Sequence, residues 1–256
     1  MNFLALVGME LRKTRRCGIG YILLAATVIL WVPSILHIDL NFGMEAEGIC
    51  PEHNFFIQGF LAMTWFLFPA SMVVGCVLLG QTERTNRGIL RMLTLPVDTV
   101  RLCLAKFAVL LVLAAVQILM MTGMYYISAF IGSEIRDYNF VLPFWFVAGQ
   151  TRGLFLSSIP MVAFFWMLSV WIRTPIFSIG LGLASIVPSV LVINTKLWFA
   201  YPMADPLFVV TAQYGRLAAN LDTAQVEWVP WIPVAVAVTA ACLGIACYRF
   251  GREERI

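Results

Sequence analysis

Charge is what this sequence has least of. Only 12% of its residues are Asp, Glu, Lys or Arg, against 61% hydrophobic residues and a mean hydropathy of +0.88. A soluble domain carries about 25% charged residues, so the composition excludes one and points to an integral membrane protein. Enzyme signatures are missing as well: there is no GxxxxGK phosphate loop, no HExxH, no CxxCH and no GxSxG. The six cysteines form no CxxC pair and no metal-ligand spacing. Only Cys50 falls clearly in a loop expected outside, so no disulfide within the chain is expected. His37 and His53, the two histidines, are separated by an irregular loop and suggest no metal site. No ionisable residue falls well inside any long apolar segment. That argues against proton-coupled transport, a voltage sensor, a charged ion filter and an intramembrane protease, all of which place polar groups at membrane depth. The basic residues sit in short clusters at the ends of apolar segments, so a nucleic-acid partner is not expected. Arg12, Lys13, Arg15 and Arg16 precede an apolar run with no small-residue cleavage site, so that run reads as a retained anchor.

Six apolar segments are present, at about 18–36, 55–80, 104–130, 153–172, 176–193 and 229–248. The first, 19 residues, rises about 28 Å as a helix, close to the hydrocarbon thickness of a bilayer. Residues 2–16 read as an amphipathic helix lying in the interface before it. Pro69 is expected to kink the second segment or break it into two half-helices, and Gly59 and Gly75 to allow close packing there. Gln117, in the third, suits an interhelical hydrogen bond, and Tyr125 and Tyr126 an interfacial aromatic belt. The run VLPFWFVAG is too short to span and holds Pro143, so it reads as a short dipping or interfacial element leading into the fourth segment. Arg173, Thr174 and Pro175 form a tight turn. Residues 197–220 read as an element lying on, or dipping into, the outer face.

The expected fold is therefore an all-α polytopic membrane protein, a single transmembrane domain over 1–256 with six spans. An even number of spans puts both termini on one side. Thirteen basic residues then fall on the terminal side and four on the other, which makes both termini cytoplasmic.

The longest basic interruption is Gln81 to Lys106, QTERTNRGILRMLTLPVDTVRLCLAK. Ile89, Leu90, Met92 and Leu93 are apolar, while Arg84, Arg87 and Arg91 recur at helical intervals on another face. Leu95-Pro96 ends that helix, because proline disfavours helical geometry in the residue before it. On charge alone the stretch is equally a positive-inside loop. A chain with no engine of its own must borrow one, be passive or bind something, and a helix of this kind offers a docking place for a soluble partner.

Glu83, Gly88, the LTLPV of residues 93–97 and Lys106 carry a resemblance to the permease subunits of ABC-2 type ATP-binding-cassette exporters. The basic start, the six spans, the helix after span two and the dipping region before span six extend it over nearly the whole chain. Ile89 stands where that family commonly has threonine. Size and the stretch WFAYPMADPLF look most like permeases of lantibiotic immunity and antimicrobial-peptide resistance. The resemblance implies a transport subunit with no catalysis of its own. ATP and Mg would be bound by a cytoplasmic ATPase subunit in two copies, beside a second permease subunit, a different chain in preference to a second copy. It also implies an amphipathic peptide cargo taken from membrane lipid, and a plasma-membrane location in a bacterium. In that reading 81–95 is the coupling helix, and Glu83, Arg84, Arg87, Gly88, Ile89, Arg91, Leu95 and Pro96 are its candidate contacts. A non-transporting sensor or anchor, or an ABC-2 permease for a lipid or other small amphipathic cargo, is the alternative.

Overall fold

In the computed structural model, residues 2–15, 17–84, 98–217 and 228–253 are described, and those residues form helices and turns only. Helix α1, Phe3–Arg15, is followed by Gly18, whose φ of 69° lies in the left-handed region that glycine adopts without strain. Helix α2, Ile19–Leu36, holds Pro33 in its last turn, so the backbone bond it removes falls at the end of the helix. A 3-10 segment, Ile38–Glu47, leads to α3, Pro51–Ala62. A π turn, Met63–Leu67, joins α3 to α4, Phe68–Arg84. Helix α5 is Thr99–Arg136, α6 is Phe144–Trp171, α7 is Pro175–Ile186 and α8 is Ser189–Val192. After a 3-10 turn at Trp198–Ala200 come α9, Ala204–Leu217, and α10, Trp228–Glu253.

Among the described residues six passages are long and apolar enough to cross a membrane: Ile19–Leu36, Pro51–Gln81, Thr99–Arg136, Phe144–Trp171, Pro175–Val192 and Val229–Phe250. The protein is an all-α polytopic membrane protein. One end of the bundle carries α1 and the last turns of α10 and is called the terminal end; the other is the distal end. At the terminal end Trp166 packs against Phe250, and the Arg249 guanidinium lies 5.5 Å from the Trp171 ring centroid. At the distal end Arg136 pairs with Asp39 and the Tyr138 hydroxyl donates to Glu52.

Trp31, fully buried, sits between Phe55, Phe60 and Tyr125. It fits because residue 59 is glycine: a Cβ there would stand 2.4 Å from the indole ring. Gly75 has open space around it and makes no such approach. Ser71 on α4 donates to Gln117 Oε1 on α5 at 2.6 Å, the interhelical bond expected of that glutamine.

Three expectations need correction. Tyr125 is not part of an interfacial belt. It is fully buried, donates its hydroxyl to Phe140 O and accepts from Leu142 N, each at 3.0 Å, and so clamps the connection between α5 and α6 onto α5. The aromatic run after Pro143 is no separate dipping element, because Phe144 opens α6 and the proline sits at its N-cap. Pro69 does not break span two into two half-helices; the irregularity lies just upstream as the π turn, where Phe68 N–H bonds to Met63 O.

Candidate functional site

Of the coupling residues expected from sequence, Glu83 and Arg84 fall in the last turn of α4, which runs without interruption from the membrane-spanning part. Arg87, Gly88, Ile89, Arg91, Leu95 and Pro96 lie outside the described residues. The stretch resumes at Asp98, whose carboxylate caps α5 by accepting from Val100 N at 3.2 Å.

Close to that resumption is a site the sequence did not reveal. Lys106, in the second turn of α5, is fully buried, and its Nζ lies 2.7 Å from Oε2 of Glu10 on α1. Lys13 reaches the other oxygen of the same carboxylate at 2.5 Å from one turn along α1. Leu6, Leu102 and Ala105 are buried together beside the pair, with Val7 and Phe250 packed against them. Burial pushes the Glu10 carboxyl upward, but the charges and hydrogen bonds of Lys106 and Lys13 outweigh it and hold the group below its ordinary range. The two helices are thus tied by an ionised, bidentate carboxylate shielded from water. The i, i+3 pair Glu10–Lys13 was visible in the sequence; its partner 96 residues away was not.

The distal half holds the other candidate site. A groove of about 800 Å³ lies between α6, α9 and α10. It runs from Gly149 to Pro160 along α6 and from Trp231 to Leu243 along α10, roughly 17 Å of helix or about half a bilayer. The lining is apolar apart from Gln150, Gln213 and Thr239. Leu156, Ile232 and Val236 are exposed at its rim, so the groove opens sideways from the bundle. Its wall at α9 is backed by aromatic packing: Trp198 stacks on Phe208 at 3.7 Å between centroids, and Trp231 packs against the same pair. Asp205, in the first turn of α9, is 1% exposed; burial pushes its carboxyl up to about 8, tempered by the Trp231 indole.

A profile of a family described as ABC-2 family transporter protein matches residues 6–189, well over half of the chain. The chain belongs to the ABC-2 transporter family. Proteins of this family act as membrane permeases that work with ATPase subunits. The match takes in the Glu10–Lys106 pair and ends before α9 and α10, so two of the three walls of the distal groove lie beyond it in this ABC-2 protein. No curated protein matches the chain.

Proposed function

We propose that this ABC-2 transporter subunit is the permease of an ATP-driven exporter that removes an amphipathic antimicrobial peptide, of the lantibiotic kind, from the plasma membrane of a bacterium and so gives immunity or resistance. The observation that supports this reading is the sideways-opening apolar groove, which reaches only about half the depth of a bilayer. A cargo already dissolved in one leaflet enters such a groove without crossing the membrane. Desolvation of its apolar face is complete before it arrives, so the groove needs little polar lining to hold it.

The power stroke comes from a separate cytoplasmic ATPase, acting as two copies that bind ATP and Mg. Both termini face that subunit, and residues 81–95 dock on it through Glu83, Arg84, Arg87, Gly88, Ile89, Arg91, Leu95 and Pro96. Because residues 81–84 continue α4, force applied there reaches span two directly. A second, different permease chain completes the membrane part. The chain itself performs no covalent chemistry.

A lipid cargo is the second reading, favoured by the small number of polar groups in the groove. The test co-expresses the chain with its ATPase and companion permease in sensitive cells and challenges them with a panel of peptide antibiotics. Resistance that Val236→Trp and Ala240→Trp abolish, with expression and ATPase association intact, supports the peptide reading. Unchanged resistance in those variants would remove the groove from the mechanism. Simultaneous replacement of Arg84, Arg87 and Arg91 by alanine tests the docking helix; retained association and resistance would sink that assignment.

A further inference from the structure

The histidine spacing in the sequence pointed away from a metal, since His37 and His53 are far apart. The structure gives His53 different neighbours. Cys50, Glu52 and His53 stand at the start of α3, and a ligand atom from each lies within 4.8 Å of the other two. Local backbone chemistry brings them together. Cys50 is the extended N-cap residue, Pro51 fixes the first helical φ, and the N–H of His53 bonds back to Cys50 O at 3.1 Å. One turn of helix thus sets the thiol and the imidazole on the same side, with the carboxylate between them.

The geometry points to a binding site for a zinc-class divalent cation at the distal end, held by Cys50 Sγ, a Glu52 carboxylate oxygen and His53 Nδ1. In a tetrahedral zinc site with N, O and S ligands the ligand atoms stand about 3.3–3.6 Å apart. His53 Nδ1 and Glu52 Oε1 are already 3.8 Å apart, so closing on a cation needs only side-chain adjustment. Both side chains are held from behind. The Tyr138 hydroxyl donates to Glu52 Oε2, which leaves Oε1 to face His53, and the imidazole ring stands edge-on against Phe146 at 5.5 Å. A carboxylate fixed through its second oxygen is a usual support of a metal ligand. The ligand set decides the metal class: thiolate with imidazole suits zinc, whereas calcium and magnesium take oxygen alone. Surrounding charge agrees, because residues 37–54 carry Asp39, Glu45, Glu47 and Glu52 and no Lys or Arg, while Arg136 is engaged by Asp39. Cys50 is exposed and Glu52 and His53 are half-buried, so three protein ligands leave a fourth position open to water or an outside donor.

The test is a zinc titration of the purified full chain in detergent under a phosphine reductant, against a chromophoric zinc competitor. One zinc per chain with a micromolar or tighter Kd is expected. Cys50→Ser and His53→Ala should each weaken it at least tenfold, while Tyr138→Phe, which leaves all three ligands in place, should weaken it a few-fold. Cobalt offered instead should show a thiolate-to-metal charge-transfer band that Cys50→Ser abolishes. Unchanged melting temperatures and gel-filtration profiles of the variants show that the fold is intact. Wild-type binding no tighter than that of the Cys50→Ser/His53→Ala double variant, or a cobalt spectrum without the thiolate band, would overturn the assignment. Neither result bears on the cargo groove, which lies on other helices.

Discussion

Replacing Lys106 by methionine is the sharpest probe of the terminal-end junction. The substitution keeps most of the apolar stem and removes the ammonium 2.7 Å from Glu10. Glu10, itself 0% exposed, keeps only Lys13, whose side chain is 39% exposed and reaches one oxygen. Breaking a buried pair from one side costs about 3–5 kcal/mol, because the surviving charge loses its compensation while remaining out of water. Glu10→Met, which leaves the buried ammonium without that carboxylate, should cost a similar amount. The double variant Glu10→Met/Lys106→Met removes both charges and should return to within about 2 kcal/mol of wild type. At about 2–4 °C per kcal/mol for a chain of this length, each single variant lowers the melting temperature in detergent by roughly 10 °C and the double variant recovers most of it. Added salt should leave the differences unchanged, since a pair shielded by Leu6, Leu102 and Ala105 is screened little. The acid limb has a fixed sign. Glu10 is held below its ordinary range, so its contribution is complete above the unfolded value of about 4.3 and is lost as pH falls below that through the folded value. Single variants within 2 °C of wild type, or losses that simply add in the double variant, would refute the reasoning.

Gly59→Ala should lower stability by about 1–3 kcal/mol, since the new Cβ would stand 2.4 Å from a fully buried Trp31 ring, whereas Gly75→Ala meets nothing and should be neutral or slightly stabilising. Thermal unfolding of the two variants side by side checks this, and equal losses would disprove the packing argument. Asp205 is raised to about 8, so the folded state holds a proton that the unfolded state releases near pH 4, and stability should fall as pH rises between those values, by up to about 1.4 kcal/mol per unit. Asp205→Asn should flatten that limb of the melting-temperature profile; a slope unchanged in the variant would show that another group sets it.

The six spans were legible because a run of about 20 apolar residues has few alternatives to a membrane helix. Their ends were not, because hydropathy registers only the apolar middle of a helix. Helix α5 begins at Thr99 and ends at Arg136, while its apolar part suggested 104–130. That shortfall also misplaced Tyr125, which looked near a helix end but stands three turns inside it, where its hydroxyl needs a partner and finds Phe140 and Leu142. Proline was read correctly as a perturbation but not in form. Pro143 starts a helix, where its missing N–H costs nothing, and Pro69 displaces its disturbance into the preceding turn. Gly59 and Gly75 are indistinguishable in sequence, and only Trp31, on another helix, separates them. Glu10 carried no signal in the sequence because the lysine it pairs with is remote in the chain.

The two helices that flank residues 85–97 differ in a way that bears on how motion at the terminal end reaches the distal end. Helix α5 is 38 residues long, about 57 Å, with no proline inside it. It carries Lys106 near one end and, at the other, Tyr125, Arg136 and the cap they hold. Neither a proline nor a π turn interrupts it between those two ends. The path from α4 to α3 is interrupted at Met63–Leu67, where a π turn and the Pro69 ring leave the backbone ladder irregular. On the proposed coupling role of residues 81–84, movement there would swing α4 without carrying α3 as one rod. The Ser71–Gln117 bond lies on the α4 side of that irregularity and ties α4 to α5 near the midpoint of α5. Distal to the π turn, α3 is held instead by Trp31 at Gly59 and by Asn54, whose amide donates to Asn41 O. On that proposal a pull on α4 works against α5 through the Ser71–Gln117 bond, while α3 is anchored by packing.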